Sequence, residues 1–537
     1  MRPGLPDCPG RPVLPDLLRS AADRFGDADY VITSGRRLTF MEAERASARL
    51  AKHMIGAGIG KGTRVAIVLP TGVDWVIAWL AAARVGAFPM LIPATYRPGE
   101  LRRALRISDA SVLIAPQRMF DKYYEHALEQ AIPGLRGRTG RLLFDADVPF
   151  LREVWVHPTS TRPWATPTDV TGPGLDPKIT DELLVAIESE VSPADPLLVI
   201  FTSGTTADPK AIVHSHGAAI RKVQPELGVC LPGSLPGRTF CAMPFFWVGG
   251  PQNLLGALHS GSAIVAQERF DAREALDLLE SERCTSMIGW ASMYDKIFSD
   301  PSAAHRDLSA LQMPDPLPRS SRGHQRNLGM TETFGPHANP DWFDYRIIDP
   351  SNGCVQPDGI EGEFCVRGFG LMAGMYKRER ETVIDGEGWY HTGDHGYIEA
   401  GHVWFTGRSG DMIKRAGANV SPLEVEQALA NCADVATAIV IGLPVSDDDE
   451  VVGAVIVRTN GHCPTPDRLS AELATELSGY KIPQHWLVLS DDELPLLASG
   501  KPDKRKLRER LLSTTEQEPS AAATTGTAAS DTSQREV

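Results

Sequence analysis

The chain lacks any stretch long and pure enough to span a membrane, since its best apolar run, residues 73–94, is interrupted by Asp74, Arg84, Gly86 and Pro89. Its N-terminus, MRPGLPDCPGRP, has no apolar core of the kind an export signal needs. The eight cysteines are scattered as Cys8, Cys230, Cys241, Cys284, Cys354, Cys365, Cys432 and Cys463. With no CxxC pair and no compact Cys/His spacing, they point to reduced core thiols in a cytoplasmic protein rather than to a local redox or zinc motif. Basic charge is also in deficit. The 54 Lys and Arg against 68 Asp and Glu leave a net charge of −14, which argues against nucleic acid as the main partner. No internal repeat is apparent.

What is present is an ordinary globular composition, 42% hydrophobic and 23% charged, in 537 residues. That length exceeds what one hydrophobic core supports, so at least two domains are expected. The segment LTFMEAERASARLAKHMIGAG reads as an amphipathic helix ending at glycine, TRVAIVLP as a buried strand, VDWVIAWLAAARVGA as a second helix and SVLIAP as a second strand. Such alternation predicts an α/β fold with a largely parallel sheet covered by helices. Between about residues 355 and 407 the texture changes to short strands and glycine turns, a β-rich subdomain. Short α and β units follow. The expected division is a large N-terminal domain at 1–409, a small mobile α+β domain at 410–512 and a disordered tail at 513–537, whose composition is too poor in large apolar residues to order itself.

The strongest chemical signal is LLVIFTSGTTADPKAIVHSH, residues 197–216. An apolar strand runs into a small, hydroxyl-rich loop and out into a second strand. Backbone N–H groups of such a loop approach an oxyanion closely, Thr202, Ser203, Thr205 and Thr206 add hydroxyl donors, Gly204 adds none of its own bulk, and Lys210 supplies a point charge. A Walker loop is excluded, because Pro209 precedes the lysine and a strand, not a helix, follows. An ordinary Ser/Thr/Gly hairpin loop has the same composition. His214 and His216 beside it read as packed or hydrogen-bonded bystanders rather than catalysts.

Other candidates lie downstream. GMTET contains Thr331 and Glu332, and a carboxylate there suits a hard divalent cation, although a solvated loop reads the same way. Asp394 and Arg408 flank two β-like arms around a Glu399-Ala400-Gly401 turn, so a hairpin returns them to one neighbourhood, as a ligand pair or as a surface ion pair. Ser421, Pro422 and Glu424 read as a helix N-cap, first-turn proline and capping-box glutamate. Lys501 sits in a glycine loop ahead of a basic run that also reads as a solvated helix face.

Taken together and in order, these segments resemble the adenylate-forming superfamily of acyl-CoA synthetases, beetle luciferases and peptide-synthetase adenylation domains. The phosphate loop, TSGTTGxPK in the family, matches with Ala207 in place of glycine; GMTET, YHTGD, TGRSGDMIKRAGANVSPLEVE and SGK follow in register. The resemblance implies that Thr331 contacts the α-phosphate, Glu332 holds Mg²⁺, Asp394 and Arg408 hold the AMP ribose, Gly410 hinges the small domain, and Gly417 lines the pantetheine passage. It also implies that Lys501 bridges carboxylate and α-phosphate. The segment CAMPFFWVGGPQNLLGAL resembles the family's acyl pocket, with Phe246, Trp247 and Gly249 as lining candidates and Trp247 where many members carry histidine.

Two departures stand out. The stretch from Met293 to Gly329 is short for the family and lacks its Gly-Gly-Ala-Pro-like adenine loop, and Leu497 stands where a threonine is frequent. The implied activity is AMP-forming acyl-CoA ligation using ATP, Mg²⁺ and CoA on a fatty or aromatic acid. Loading of a carrier protein, or non-catalytic binding of an acyl-adenylate or acyl-CoA, are the competing expectations.

Overall fold

The computed structural model describes residues 10–120, 122–172, 178–202, 209–224, 237–289, 291–312, 329–336, 342–408, 413–415, 418–446, 449–459, 462–475, 477, 479–497 and 501–515. The chain forms two compact units, one of Met1–Thr392 with Gly396–Phe405, the other of Gly393–His395 with Thr406–Val537.

In the larger unit the predicted alternation is realised. The Phe40–Gly56 helix starts at Thr39, whose side chain accepts from the Glu42 amide while Glu42 returns a carboxylate to the Thr39 amide, a reciprocal cap worth about 1 kcal/mol. The Val73–Arg84 helix is buried almost all round. Arg84, which breaks the apolar run in sequence, is buried beside Glu188 Oε1 at 2.5 Å and Glu44 Oε1 at 2.9 Å, so its charge enters the core already paired. Residues 73–94 are therefore core, and no helix among the described residues is long and apolar enough to cross a membrane.

The main sheet has eight strands, ordered Gly374–Met375, Lys210–Ser215, Pro196–Thr202, Phe88–Leu91, Arg64–Ile67, Val112–Pro116, Glu153–His157 and Ala165–Pro167. Every pairing from Pro196–Thr202 outward to Ala165–Pro167 is parallel; only Lys210–Ser215 runs against the others, pairing antiparallel with both of its neighbours. A second, five-stranded sheet orders Ser286–Ile288, Arg238–Cys241, Ala263–Ala266, Asp29–Thr33 and Arg36–Thr39. The β-rich segment forms a four-stranded sheet of Asp344–Ile348, Gly362–Arg367, Tyr390–Glu399 and His402–Arg408. Its last two strands join at Ala400 and Gly401, both at positive φ (50° and 77°), the conformation a two-residue hairpin turn requires.

The smaller unit is α+β. Val435–Ser446 and Asp449–Arg458 pair antiparallel, and His485–Leu489 joins in parallel. Side chains alternate across this sheet: Val440, Val452 and Ile456 share one core with Val425, Leu429, Leu469 and Leu473, whereas Ile441, Val455 and Val457 share another with Leu507 and Leu511 of the Lys504–Thr515 helix. Each fully buried leucine contributes about 1.5 to 3 kcal/mol, so this helix is held by its apolar stripe despite its basic surface.

Three expectations need correction. Ser421 caps the Pro422–Ala430 helix by accepting from the Glu424 amide, but the Glu424 carboxylate lies 2.6 and 2.8 Å from Lys481 Nζ. A full charge drew it away from the capping box. The Lys504–Thr515 helix runs through residues 513–515, which were expected to begin a disordered tail; the remainder, 516–537, lies outside the described residues. Among the described cysteines, all free thiols, Cys241, Cys284, Cys365 and Cys432 are buried as expected, but Cys354 and Cys463 are exposed.

Candidate active site

The phosphate-loop candidate is a hairpin, as its composition implied. Thr202 closes the Pro196–Thr202 strand and pairs directly with Lys210, which opens the returning strand. Ser203, Gly204, Thr205 and Thr206 lie between them, outside the described residues. The two ends of the loop are thus fixed by the sheet's own ladder, and five of the strand's seven residues are buried.

Four residues past Lys210, on the same strand, His214 Nε2 lies 2.7 Å from the Thr331 carbonyl oxygen. Burial holds the imidazole down at about 3, a Thr331 carbonyl contact opposing this only partly, so the ring is neutral and its Nε2–H donates. The ring also leans against Phe334, with centroids 4.9 Å apart. Lys222, at the end of the following helix, is buried as well; its Nζ donates to the Thr333 carbonyl and lies 5.3 and 5.0 Å from the Trp342 and Phe343 rings. Desolvation pushes this amine well below its ordinary value. His214 is thus the packed, hydrogen-bonded histidine its place in the sequence suggests, but its partner Thr331 is not legible there, and nothing in the sequence marks Lys222.

The GMTET segment is itself a small hairpin. Gly329–Met330 pairs antiparallel with Gly335–Pro336 around a 3-10 turn of Thr331–Thr333. Thr333 Oγ1 lies 3.2 Å from the Met330 carbonyl and 2.8 Å from that of Gly335, within hydrogen-bonding reach of both sides of the turn. Phe334 has φ 50°, a conformation disfavoured for a bulky residue, and its ring is fully buried. Gly335 has φ 93°, and a Cβ there would meet Gln252 Oε1 at 2.5 Å. The backbone of Thr331, Glu332 and Thr333 is therefore gripped by His214, by the Met372 amide (2.8 Å to the Glu332 carbonyl) and by Lys222.

Glu332 is half-buried, and Tyr390 Oη donates to its Oε1 at 3.2 Å. Tyr390 opens the YHTGD motif and is buried on the Tyr390–Glu399 strand. It fixes the carboxylate's direction. A positioned carboxylate with hard oxygen donors fits Mg²⁺, which takes one or two carboxylates and completes its shell with water and phosphate oxygens. The signal for Tyr390 was its place in the motif; its partner, 58 residues away, was not visible.

The pocket candidates stand beside this hairpin. Gln252, whose side chain abuts Gly335, belongs to the Gly249–Ser260 helix, and Phe246 and Trp247 precede that helix with rings 5.2 Å apart, edge to face. Phe246 is part of the main core; Trp247 is partly exposed and packs against it. Gly249 opens that helix beside Met243, whose Sδ a Cβ at 249 would meet at 2.5 Å, so a larger residue there has to turn the methionine aside.

In the smaller unit, Asp394 is buried on its strand, and Arg408 ends the neighbouring strand. The Arg408 side chain, the Gly410 hinge and Gly417 lie outside the described residues, as does the stretch 313–328 that includes most of the expected adenine-loop region. Lys501 is exposed. Its carbonyl accepts from the Leu497 amide at 2.8 Å, and the bridge between Leu496 and Pro502 closes the base of its loop. It precedes the Lys504–Thr515 helix rather than lying on that helix's basic face.

A family model described as AMP-binding enzyme matches residues 18–376, and one described as AMP-binding enzyme C-terminal domain matches residues 424–501. The chain is 28% identical over 538 residues to the putative acyl-CoA synthetase YngI of Bacillus subtilis (strain 168), covering 92% of this chain and 96% of that one. It is 31% identical over 518 residues to a feruloyl-CoA synthase of Amycolatopsis sp, covering 90% and 96%. Among solved structures, the amide bond synthetase McbA from Marinactinospora thermotolerans superposes with a TM-score of 0.75 at 23% identity, over 93% of this chain and 99% of that one. At that identity the likeness is one of fold.

Proposed function

The chain belongs to the AMP-binding enzyme family and is an acid–thiol ligase, and on that premise we propose that it joins a fatty or aromatic carboxylic acid to CoA through an acyl-AMP. In the first half-reaction a carboxylate oxygen attacks the α-phosphorus of ATP and pyrophosphate leaves. In the second, the CoA thiol attacks the acyl carbonyl and AMP leaves.

Two anions must meet in the first step. The loop between Thr202 and Lys210 cradles phosphate oxygens with amides and hydroxyls, and Thr331 contacts the α-phosphate. Mg²⁺, held by Glu332, would neutralise phosphate charge as it builds on the leaving pyrophosphate. Lys501 supplies the cation between carboxylate and α-phosphate, where charge is redistributed in the transition state. Asp394 and Arg408 hold the ribose, and Gly417 gives the thiol passage after the small domain turns about Gly410. Phe246 and Trp247 offer the acyl chain an apolar wall.

The observation that carries this reading is the shared anchoring of the phosphate hairpin and the Thr331–Glu332 pair: the strand that begins at Lys210 holds Thr331 through His214, while Tyr390 aims Glu332. A phosphate-charge pair set by a rigid sheet is what in-line displacement requires. The test is ATP–pyrophosphate exchange over a panel of aliphatic and aromatic acids, repeated with CoA and with a phosphopantetheine carrier protein. Acid-dependent exchange followed by acyl-CoA formation is expected. Product on the carrier alone would move the acceptor from CoA to protein, and no exchange with any acid would favour a binding protein.

A further inference from the structure

The four-stranded sheet carries a second group of reactive side chains that the ligase reaction does not use. Glu363 and Cys365 are two residues apart on the Gly362–Arg367 strand and so share a face, and His391 stands on the neighbouring Tyr390–Glu399 strand. Cys365 Sγ lies 3.6 Å from His391 Nδ1, and that nitrogen lies 3.4 Å from Glu363 Oε2. All three donor atoms fall within 4.8 Å of one another.

These spacings have a specific chemical meaning. A tetrahedral zinc ion with ligand bonds of about 2.0 to 2.3 Å places a sulfur and a nitrogen donor about 3.6 Å apart, and a nitrogen and an oxygen donor about 3.4 Å apart. The far side of the ring is also furnished: His391 Nε2 is 3.7 Å from Asp385 Oδ2. At 3.7 Å this carboxylate makes no direct hydrogen bond, but its charge favours a proton on Nε2, the tautomer that leaves Nδ1 for the metal. The thiol is buried at the floor while the imidazole is 42% exposed, so an ion is reachable from solvent and a fourth position stays open. The nearest cation, Arg346, is neutralised by Asp385 at 2.8 Å and Glu387 at 3.0 Å and lies over the Trp389 ring.

We propose that Glu363, Cys365 and His391 form a Zn²⁺ site, with Asp385 as the outer partner of the imidazole. The thiol and imidazole select a borderline-soft ion over Mg²⁺, so this site and Glu332 take different metals. It is independent of the ligase assignment.

The experiment uses the full chain, with the exposed Cys354 and Cys463 replaced by serine, stripped with a chelator and titrated with Zn²⁺ and Co²⁺. One equivalent of Zn²⁺ should bind, and Co²⁺ should give a thiolate-to-cobalt charge-transfer band. Cys365→Ser should abolish the band. His391→Gln and Glu363→Gln should each weaken Zn²⁺ binding by at least about tenfold. His391 is largely at the surface, so its variant remains folded and keeps the test decisive. Failure to bind Zn²⁺, a band undiminished in Cys365→Ser, or affinity unchanged in His391→Gln would overturn the proposal.

Discussion

Replacing His214 by glutamine separates two properties of one side chain, because glutamine keeps an N–H for the Thr331 carbonyl but has no titrating group. In the folded chain the imidazole titrates at about 3, pushed down mainly by burial and further by Lys222; unfolded, it titrates near 6.5. Between those values the unfolded chain binds a proton that the native chain refuses, so stability falls as the pH drops below about 6.5 and the loss levels off only near the folded value. At pH 5 the difference is about 1.5 pH units at 1.36 kcal/mol each, or about 2 kcal/mol from this ring alone. Equilibrium urea unfolding of parent and His214→Gln, followed through the transition of the larger unit at pH 8, 6.5 and 5, reads it directly. The two curves of stability against pH should converge toward acid by about that amount. Parallel curves would mean that the native ring takes up a proton as readily as the unfolded one, and the account of a neutral donor to Thr331 would fail.

Lys501→Ala should reduce ATP–pyrophosphate exchange by at least about 100-fold while thioester formation from supplied acyl-AMP stays close to the parent's; equal loss in both would contradict its assignment to the first step alone. Tyr390→Phe should raise the Mg²⁺ concentration needed for half-maximal exchange by about tenfold, and an unchanged requirement would show that its bond to Glu332 does not orient a ligand. Lys222 is held well below its ordinary value, so the unfolded chain carries the extra proton and stability rises with pH until the unfolded amine titrates near 10.4. Lys222→Met should flatten that rise in alkaline unfolding curves; an identical slope would place the charge elsewhere. Gly410→Pro should spare one half-reaction and suppress the other, whereas full CoA turnover would argue against a hinge there.

Local chemistry made much of the fold legible. The Ser421 cap, the 3.6-residue stripe of the first long helix, and the Ala400-Gly401 turn all act within a few residues, and each lies where the pattern put it. The pairing of Thr202 with Lys210 follows from the same kind of signal, an apolar strand on each side of a small loop. Reading failed where a distant charge competed: Glu424 left its capping box for Lys481, 57 residues on; and although Arg84 does interrupt the apolar run, the partners that admit it to the core, Glu44 and Glu188, lie far from it in sequence.

The order of the motifs alone was enough to identify the family and the alternation of α and β units, because backbone preference and phosphate-binding composition are written in adjacent residues. Which side chains serve those motifs was settled only by folding. His214 reaches Thr331 across 117 positions and Tyr390 reaches Glu332 across 58, contacts that no periodicity announces. The same holds for Glu363, Cys365 and His391: dispersed cysteines and histidines gave no metal spacing along the chain, yet two adjacent strands bring three donors within 4.8 Å, since a sheet makes neighbours of residues by register and not by sequence distance.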